Sequence, residues 1–486
     1  MGSLKKLFQQ TFIYGLATVL PRMLSFLLVP LYTDILPKKE YGEVSIIFSW
    51  IVLFNVILAY GMETAFFRFF HKEKDKKLVI STATVSLIIS SLLFLVLAFT
   101  LKEHLASWSG IKEEYISYTI MVLVLDALVI IPFAWLRANQ KPMRYAIIKI
   151  LNVGVNLGLN VFFLLLLPEI ASETSNGMID AIYLPNFELS YIFISMVIAS
   201  AISLLILIPF YFKIQYSFSK NLWKEMLRYT YPVLFAGIAF AINESFDRIL
   251  LGWLLPSNIA EGAVGAYSAC YKLAIFMTLF ATAFRMGVEP FFFSKATEEN
   301  APETYALITR YFVAFGSVIL LTVIIFSDLL KELLIRDSDY WEAMKIVPFI
   351  LLANFCLGIY HNLSVWYKVT DRTKMGAYIS IVGAVVTLGI NFALIPTMSY
   401  MASAIATFLA YGIMMFLSYY LGQKYYPIPY NLKKISLYFI VSVVFSGVSF
   451  YLFRNNYLVG IALWLAFIIL IYTQEEKAIK KLILRR

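Results

Sequence analysis

Charge is scarce in this sequence: Asp, Glu, Lys and Arg make up 14% of its 486 residues, against about 25% in an ordinary soluble protein. Too little remains to cover a water-facing surface, which excludes a set of soluble domains. A disordered chain is excluded as well, because disorder needs low hydropathy and high charge. Cysteine is limited to Cys270 and Cys356, too few for a disulfide framework; both lie inside apolar runs, where a thiol packs as a small hydrophobe. Histidine occurs three times, at His71, His104 and His361. No Walker motif, Gly-rich dinucleotide motif or metal-spaced Cys/His cluster is present, so no enzyme, cofactor or metal site is expected. His361 beside Asn362 is the one polar pair that would suit a membrane acyltransferase, and it stands without other catalytic groups.

Apolar residues are what the chain has in abundance, at 61%. At about 20 residues per crossing, that is material for about fourteen helices. Runs cut by charge, proline or asparagine place them at about 11–33, 42–63, 79–101, 116–136, 145–167, 189–211, 229–255, 263–290, 306–327, 344–367, 376–396, 401–422, 435–453 and 457–473. The first run follows Lys5 and Lys6 like a signal peptide, but it is too long and lacks a small-residue cleavage site, so it reads as a retained helix. With these spans, one set of alternate connections carries 26 Lys and Arg and the opposite set seven. The positive-inside rule then predicts an even number of spans and both termini in the cytoplasm. The net charge of +10 is accounted for by those loops, with no nucleic-acid partner needed.

One stretch of the chain matches another. Residues 135–160 align without gaps on 366–391, at an offset of 231, with eight identities: Trp135 meets Trp366, Arg137 meets Lys368, Lys141 meets Arg372, and Gly158 and Asn160 meet Gly389 and Asn391. A fainter echo pairs Leu36-Pro37 and Tyr41-Gly42 with Leu255-Pro256 and Val264-Gly265. The offset equates span 5 with span 11. The expected architecture is an all-α membrane protein with two parallel-related six-helix lobes, 1–215 and 216–425, and two extra spans with a basic tail over 426–486.

Ionisable residues inside spans mark functional sites or paired charges. Arg22 lies in the middle of span 1, Asp126 in span 4, Glu244, Asp247 and Arg248 in span 7, and Lys272, Arg285 and Glu289 in span 8. Arg22 has no carboxylate three or four residues away, which leaves two readings: a cationic contact in a cavity, or an ion pair to Asp126 or Glu63. Glu244, Asp247 and Arg248 share a helical face, so Arg248 is either neutralised in place or a ligand group, and Arg285 and Glu289 are also four apart. Arginines in a wet cavity hold phosphate or carboxylate well, whereas proton or sodium coupling would need a buried carboxylate such as Asp126, Glu244 or Asp247. Pro21, Pro132, Pro232 and Pro290 lie where they can kink spans.

The segments LATVLPRMLSFLLVPLYTDILPKKEYGEVSIIFSW (16–50), LRANQKPMRYAIIKILNVGVNLGLN (136–160) and VGAYSACYKLA (264–274) resemble polysaccharide flippases of the Wzx type, in the multidrug/oligosaccharidyl-lipid/polysaccharide (MOP) exporter superfamily. The resemblance implies two six-helix lobes, alternating access, and movement of an undecaprenyl-pyrophosphate-linked oligosaccharide between leaflets of a bacterial cytoplasmic membrane. Arg22, Arg248, Lys272 and Arg285 would suit its pyrophosphate. Membrane lipids, a polysaccharide polymerase and glycosyltransferases are the expected partners. Fourteen spans rather than the commoner twelve, with an arginine in the first, also resemble the lipid II flippases; drug antiporters rank behind both.

Overall fold

The computed structural model describes residues 19–21, 23–173, 177–296 and 298–483. They are helical almost throughout, with no strand among them. Twelve helical segments among the described residues are long and apolar enough to cross a bilayer, from Lys38–Lys72 to Tyr457–Glu476. Two expected spans are missing from that set. Of the first, residues 11–18 and Arg22 lie outside the described residues, and the helix Leu28–Ile35 falls at its end. The other, Lys220–Leu254, is one unbroken helix of 35 residues, but Tyr229, Tyr231 and Pro232 at one end and Asn243, Glu244, Asp247 and Arg248 at the other dilute its apolar stretch. With Lys220–Leu254, thirteen of the fourteen expected spans are long helices among the described residues.

The chain forms two compact units, the first reaching Trp253 and adding Ser257–Gly265, the second comprising Leu254–Pro256 and everything from Ala266. Polar side chains buried within the helices mostly satisfy themselves on their own backbone, as hydrocarbon demands. Ser45 donates to the Tyr41 carbonyl, Ser49 to Ser45, Thr84 to Ile80 and Ser195 to Tyr191, each four residues back.

Proline supplies a bend in the first unit. Glu113–Leu128 gives way at Val129 to Ile130–Ala138. Pro132 has no N–H to offer the Leu128 carbonyl four residues earlier, and the Tyr211 hydroxyl donates to that carbonyl instead. Pro232, by contrast, sits inside a helix that continues through it.

The two glycines of the faint sequence echo meet. A Cβ on Gly42 would lie 1.8 Å from the Glu261 carbonyl oxygen, and one on Gly265 would lie 1.9 Å from that of Lys38. Only glycine permits this backbone approach. Nearby, Lys39 and Glu261 form an ion pair at 3.2 Å.

The stronger repeat is also structural. Gln140 and Asp371, 231 residues apart, both take positive φ, 53° and 56°. Lys141 N–H donates to the Leu136 carbonyl at 2.9 Å, and Arg372 N–H to the Tyr367 carbonyl at 2.8 Å. Each unit therefore contains the same left-handed turn at the end of the helix carrying the repeated tryptophan. Farther along, Asn160 and Asn391 both donate to the carbonyl four residues back and accept from a hydroxyl, Tyr32 in one case and Ser403 in the other.

In the second unit the last two helices are fixed to Ala301–Ile325 and its neighbourhood by charge. Glu475, 4% exposed, receives Arg310, Lys434 and the Tyr438 hydroxyl. At another point Arg454 grips both oxygens of Asp328, at 2.9 and 3.0 Å. Trp464 Nε1–H donates to Thr322.

Candidate functional site

The repeated helix ends carry one ion pair per unit. In the first unit Arg137 pairs with Glu63, and its guanidinium lies over the rings of Phe67 and Tyr145. In the second, Lys368 pairs with Glu289 at 2.6 Å. Arg137 and Lys368 are repeat partners. Glu63 and Glu289 stand in the same relation at an offset of 226, which a gap-free comparison at 231 does not find.

Around the second pair lies a small cleft lined by Arg285, Val288, Glu289, Phe292, His361, Asn362, Val365 and Lys368, with room for about one water molecule. The helix Ile275–Lys295 contributes its first four residues. Val347–Leu363 and Val365–Val369 contribute the others. Asn362 is turned back on the Gly358 carbonyl. Arg285 has no ion pair or hydrogen bond among the described residues. Its four-residue spacing from Glu289 does not produce the local pair that spacing permits, because Glu289 is held by Lys368. The cleft thus contains two cations and one carboxylate, an arrangement that favours an anion with acceptor oxygens.

The other sequence candidates are dispersed. Arg248 Nη1 lies 3.0 Å from Asp247 Oδ1 and also donates to the Glu244 carbonyl; both side chains are buried, and Arg248 is neutralised in place. Glu244 is exposed, and Lys272 is exposed on a short 3-10 turn, Lys272–Ala274, that interrupts its span. Asp126 accepts from the Ser200 hydroxyl at 2.8 Å. Glu63, one carboxylate considered for Arg22, is engaged by Arg137; Arg22 itself lies outside the described residues. Of the eight candidates the structure gathers Arg285 and Glu289 into one cleft and Asp247 and Arg248 into one pair. The sequence reading missed Glu475 as a buried carboxylate because Thr473 and Gln474 end the apolar run before it, whereas the helix Tyr457–Ile483 continues through it.

Comparison with known proteins now bears on this geometry. Residues 7–294 match the family model described as polysaccharide biosynthesis protein. The chain belongs to the polysaccharide biosynthesis protein family. Residues 232–395 also match the MatE model, and no curated protein matches the sequence. Among solved structures, the lipid II flippase MurJ in an inward closed conformation superimposes with a TM-score of 0.74 at 15% identity, covering 95% of this chain and 99% of that one. An inward-facing multidrug resistance MATE family transporter of the MOP superfamily gives 0.63 at 13% identity, covering 88% of this chain and 96% of that one. Its outward-facing counterpart gives 0.57 at 13% identity, over 90% and 96%. Membership of the MOP superfamily, expected from the sequence, is thereby shown. The protein is a multi-pass membrane protein whose family and fold point to transporters and flippases.

Proposed function

We propose that the protein flips a polyprenyl-pyrophosphate-linked oligosaccharide from the inner to the outer leaflet of a bacterial cytoplasmic membrane by alternating access, with both termini cytoplasmic. The family model supports a polysaccharide precursor as cargo. The observation that carries the chemistry is Arg285: a guanidinium in a membrane span, without a partner among the described residues and beside Lys368. An unpaired charge there is costly unless a ligand or water meets it, and pyrophosphate presents the paired oxygens that a guanidinium fork holds best. Arg22 and Lys272 are proposed as separate phosphate contacts, Lys272 about 20 Å along the helical span from Arg285. Arg248, already paired with Asp247, is a contact only if that pair opens. Asp126 is the carboxylate proposed for proton or sodium coupling, since Glu244 is exposed and Asp247 is taken by Arg248. The glycan would be supplied by glycosyltransferases and received by a polymerase, and the lobes of the transport unit would be 1–215 and 216–425.

A second reading, transport of a lipid II-type peptidoglycan precursor, is favoured by the near-complete coverage of the MurJ structure. Both cargoes share a polyprenyl pyrophosphate and differ in the sugar. The test is translocation of fluorescent undecaprenyl-pyrophosphate oligosaccharide and of lipid II in proteoliposomes, with and without an ion gradient. Preferential movement of the oligosaccharide supports the first reading and preferential movement of lipid II the second. Movement of neither, with export of a cationic dye by the same preparation, would place the protein with the drug antiporters.

A further inference from the structure

The first unit contains a group of tryptophans that the pyrophosphate chemistry leaves unexplained. Trp50, Trp108 and Trp253 form a closed triangle, with ring centroids 5.6 Å apart for Trp50–Trp108, 5.6 Å for Trp50–Trp253 and 5.2 Å for Trp108–Trp253. Phe54 and Phe246 pack against Trp50 at 5.8 and 6.3 Å. These are three of the chain's eight tryptophans, drawn from segments 58 and 145 residues apart in sequence. Trp50 is 9% exposed, and its Nε1–H is buried without a hydrogen-bond partner. Trp108 and Trp253 are 60% and 41% exposed.

Tryptophans at a membrane interface ordinarily sit singly, their rings in lipid and their N–H groups in the headgroup layer. This triangle does something else. It gathers three indoles on one spot and leaves the buried Trp50 N–H without an acceptor among the described residues, an unfavourable arrangement for a polar group. Trp108 belongs to the polar helix Lys102–Ser109, which has no buried residue of its own, and that segment is tied at its start by Lys102 to Glu113 at 2.5 Å. Trp253 is held on the long helix and also against Phe246 at 6.2 Å, so Trp108 is the indole placed to move aside, and its movement would open the Trp50 N–H to a ligand. On the helix Lys38–Ala59, Glu43 lies seven residues before Trp50, on the same face and two turns away, about 10 Å. A half-buried carboxylate at that distance can accept from hydroxyls that the aromatic surface does not reach.

We infer that this triangle is a sugar-binding platform. A pyranose has an apolar C–H face that packs on an indole and a rim of hydroxyls that needs donors and acceptors. Trp108 and Trp253 supply the face, Trp50 Nε1–H a donor and Glu43 an acceptor. A lipid tail would leave the N–H unmet, and a bare pyrophosphate has no use for the rings. The inference rests on the proposed cargo and deepens it: the platform is a place on the first unit for the glycan part of that cargo.

The test measures equilibrium binding of a soluble N-acetylglucosamine-containing disaccharide to the full-length protein, with lactose as the control sugar and thermal stability followed in parallel. The wild type should bind the disaccharide. Trp108→Ala, at an exposed position that leaves the core intact, should weaken that binding about tenfold at unchanged thermal stability. Trp50→Phe, which keeps a ring and removes the N–H, should weaken it about threefold. No binding to wild type, or an affinity that survives in Trp108→Ala, overturns the platform and leaves the flippase reading to its own translocation assay.

Discussion

The two units carry the same ion pair and use it differently. Glu63–Arg137 is a closed account of charge: the guanidinium has its carboxylate and lies against two aromatic rings. Glu289–Lys368 has the same placement relative to the repeated turn, but Arg285 stands beside it, so the second pair sits in surplus positive charge. A repeated scaffold therefore need not repeat its function. One added cation four residues before the shared carboxylate converts a structural contact into a candidate anion site.

Substitutions can separate the two roles. Arg285→Ala should reduce translocation at least about 100-fold, equivalent to about 2.7 kcal/mol in the barrier, with expression and thermal stability little changed. A normal rate in proteoliposomes would remove Arg285 from the site. Lys368→Ala should cost about tenfold, because freeing Glu289 lets it turn to Arg285 and neutralise the cleft; Lys368→Arg should restore most of the rate. Arg137→Ala should instead act on stability, by about 1 kcal/mol for a half-exposed pair with two ring contacts, leaving farnesyl pyrophosphate affinity as in the wild type. Loss of binding in Arg137→Ala with stability intact would erase the distinction between the units.

The fold was largely legible because hydrophobic length is a one-dimensional signal. Thirteen of the fourteen expected spans find a helix among the described residues, and Lys220–Leu254 was recognisable despite its charges because its apolar stretch is long enough between them. The left-handed turns at Gln140 and Asp371 were foreshadowed by Trp135, Arg137 and their partners at a constant offset. The charge pairing was not legible. Glu63 and Arg137 are 74 residues apart and Glu289 and Lys368 are 79 apart, on different helices, whereas helical spacing can propose only near neighbours. That rule succeeded in outline for Asp247 and Arg248 and failed for Arg285 and Glu289, where a more distant lysine takes the carboxylate. The tryptophan triangle was invisible for the same reason.

The smallest effect concerns the charge clamp on the final helices of the second unit. Burial pushes the Asp328 carboxyl up, but hydrogen bonds from Arg454 and Lys331 more than reverse it and hold it below the usual carboxylate range. A carboxyl whose folded pKa is depressed stabilises the fold above its unfolded pKa, about 4, and that contribution is lost as pH falls through the folded value. The stability gap between wild type and Asp328→Asn should be constant above about pH 5 and close as pH falls below about 4. A gap unchanged at pH 3 would mean that the clamp owes nothing to the charge.

The central claim is that the surplus cation of the second unit, and not its counterpart pair in the first, receives the pyrophosphate. Equilibrium binding of farnesyl pyrophosphate to wild type, Arg285→Ala and Arg137→Ala tests it most directly. The account predicts an affinity reduced about tenfold or more in Arg285→Ala, about 1.4 kcal/mol, and a wild-type affinity in Arg137→Ala. Equal affinities in all three proteins, or a loss confined to Arg137→Ala, would contradict it.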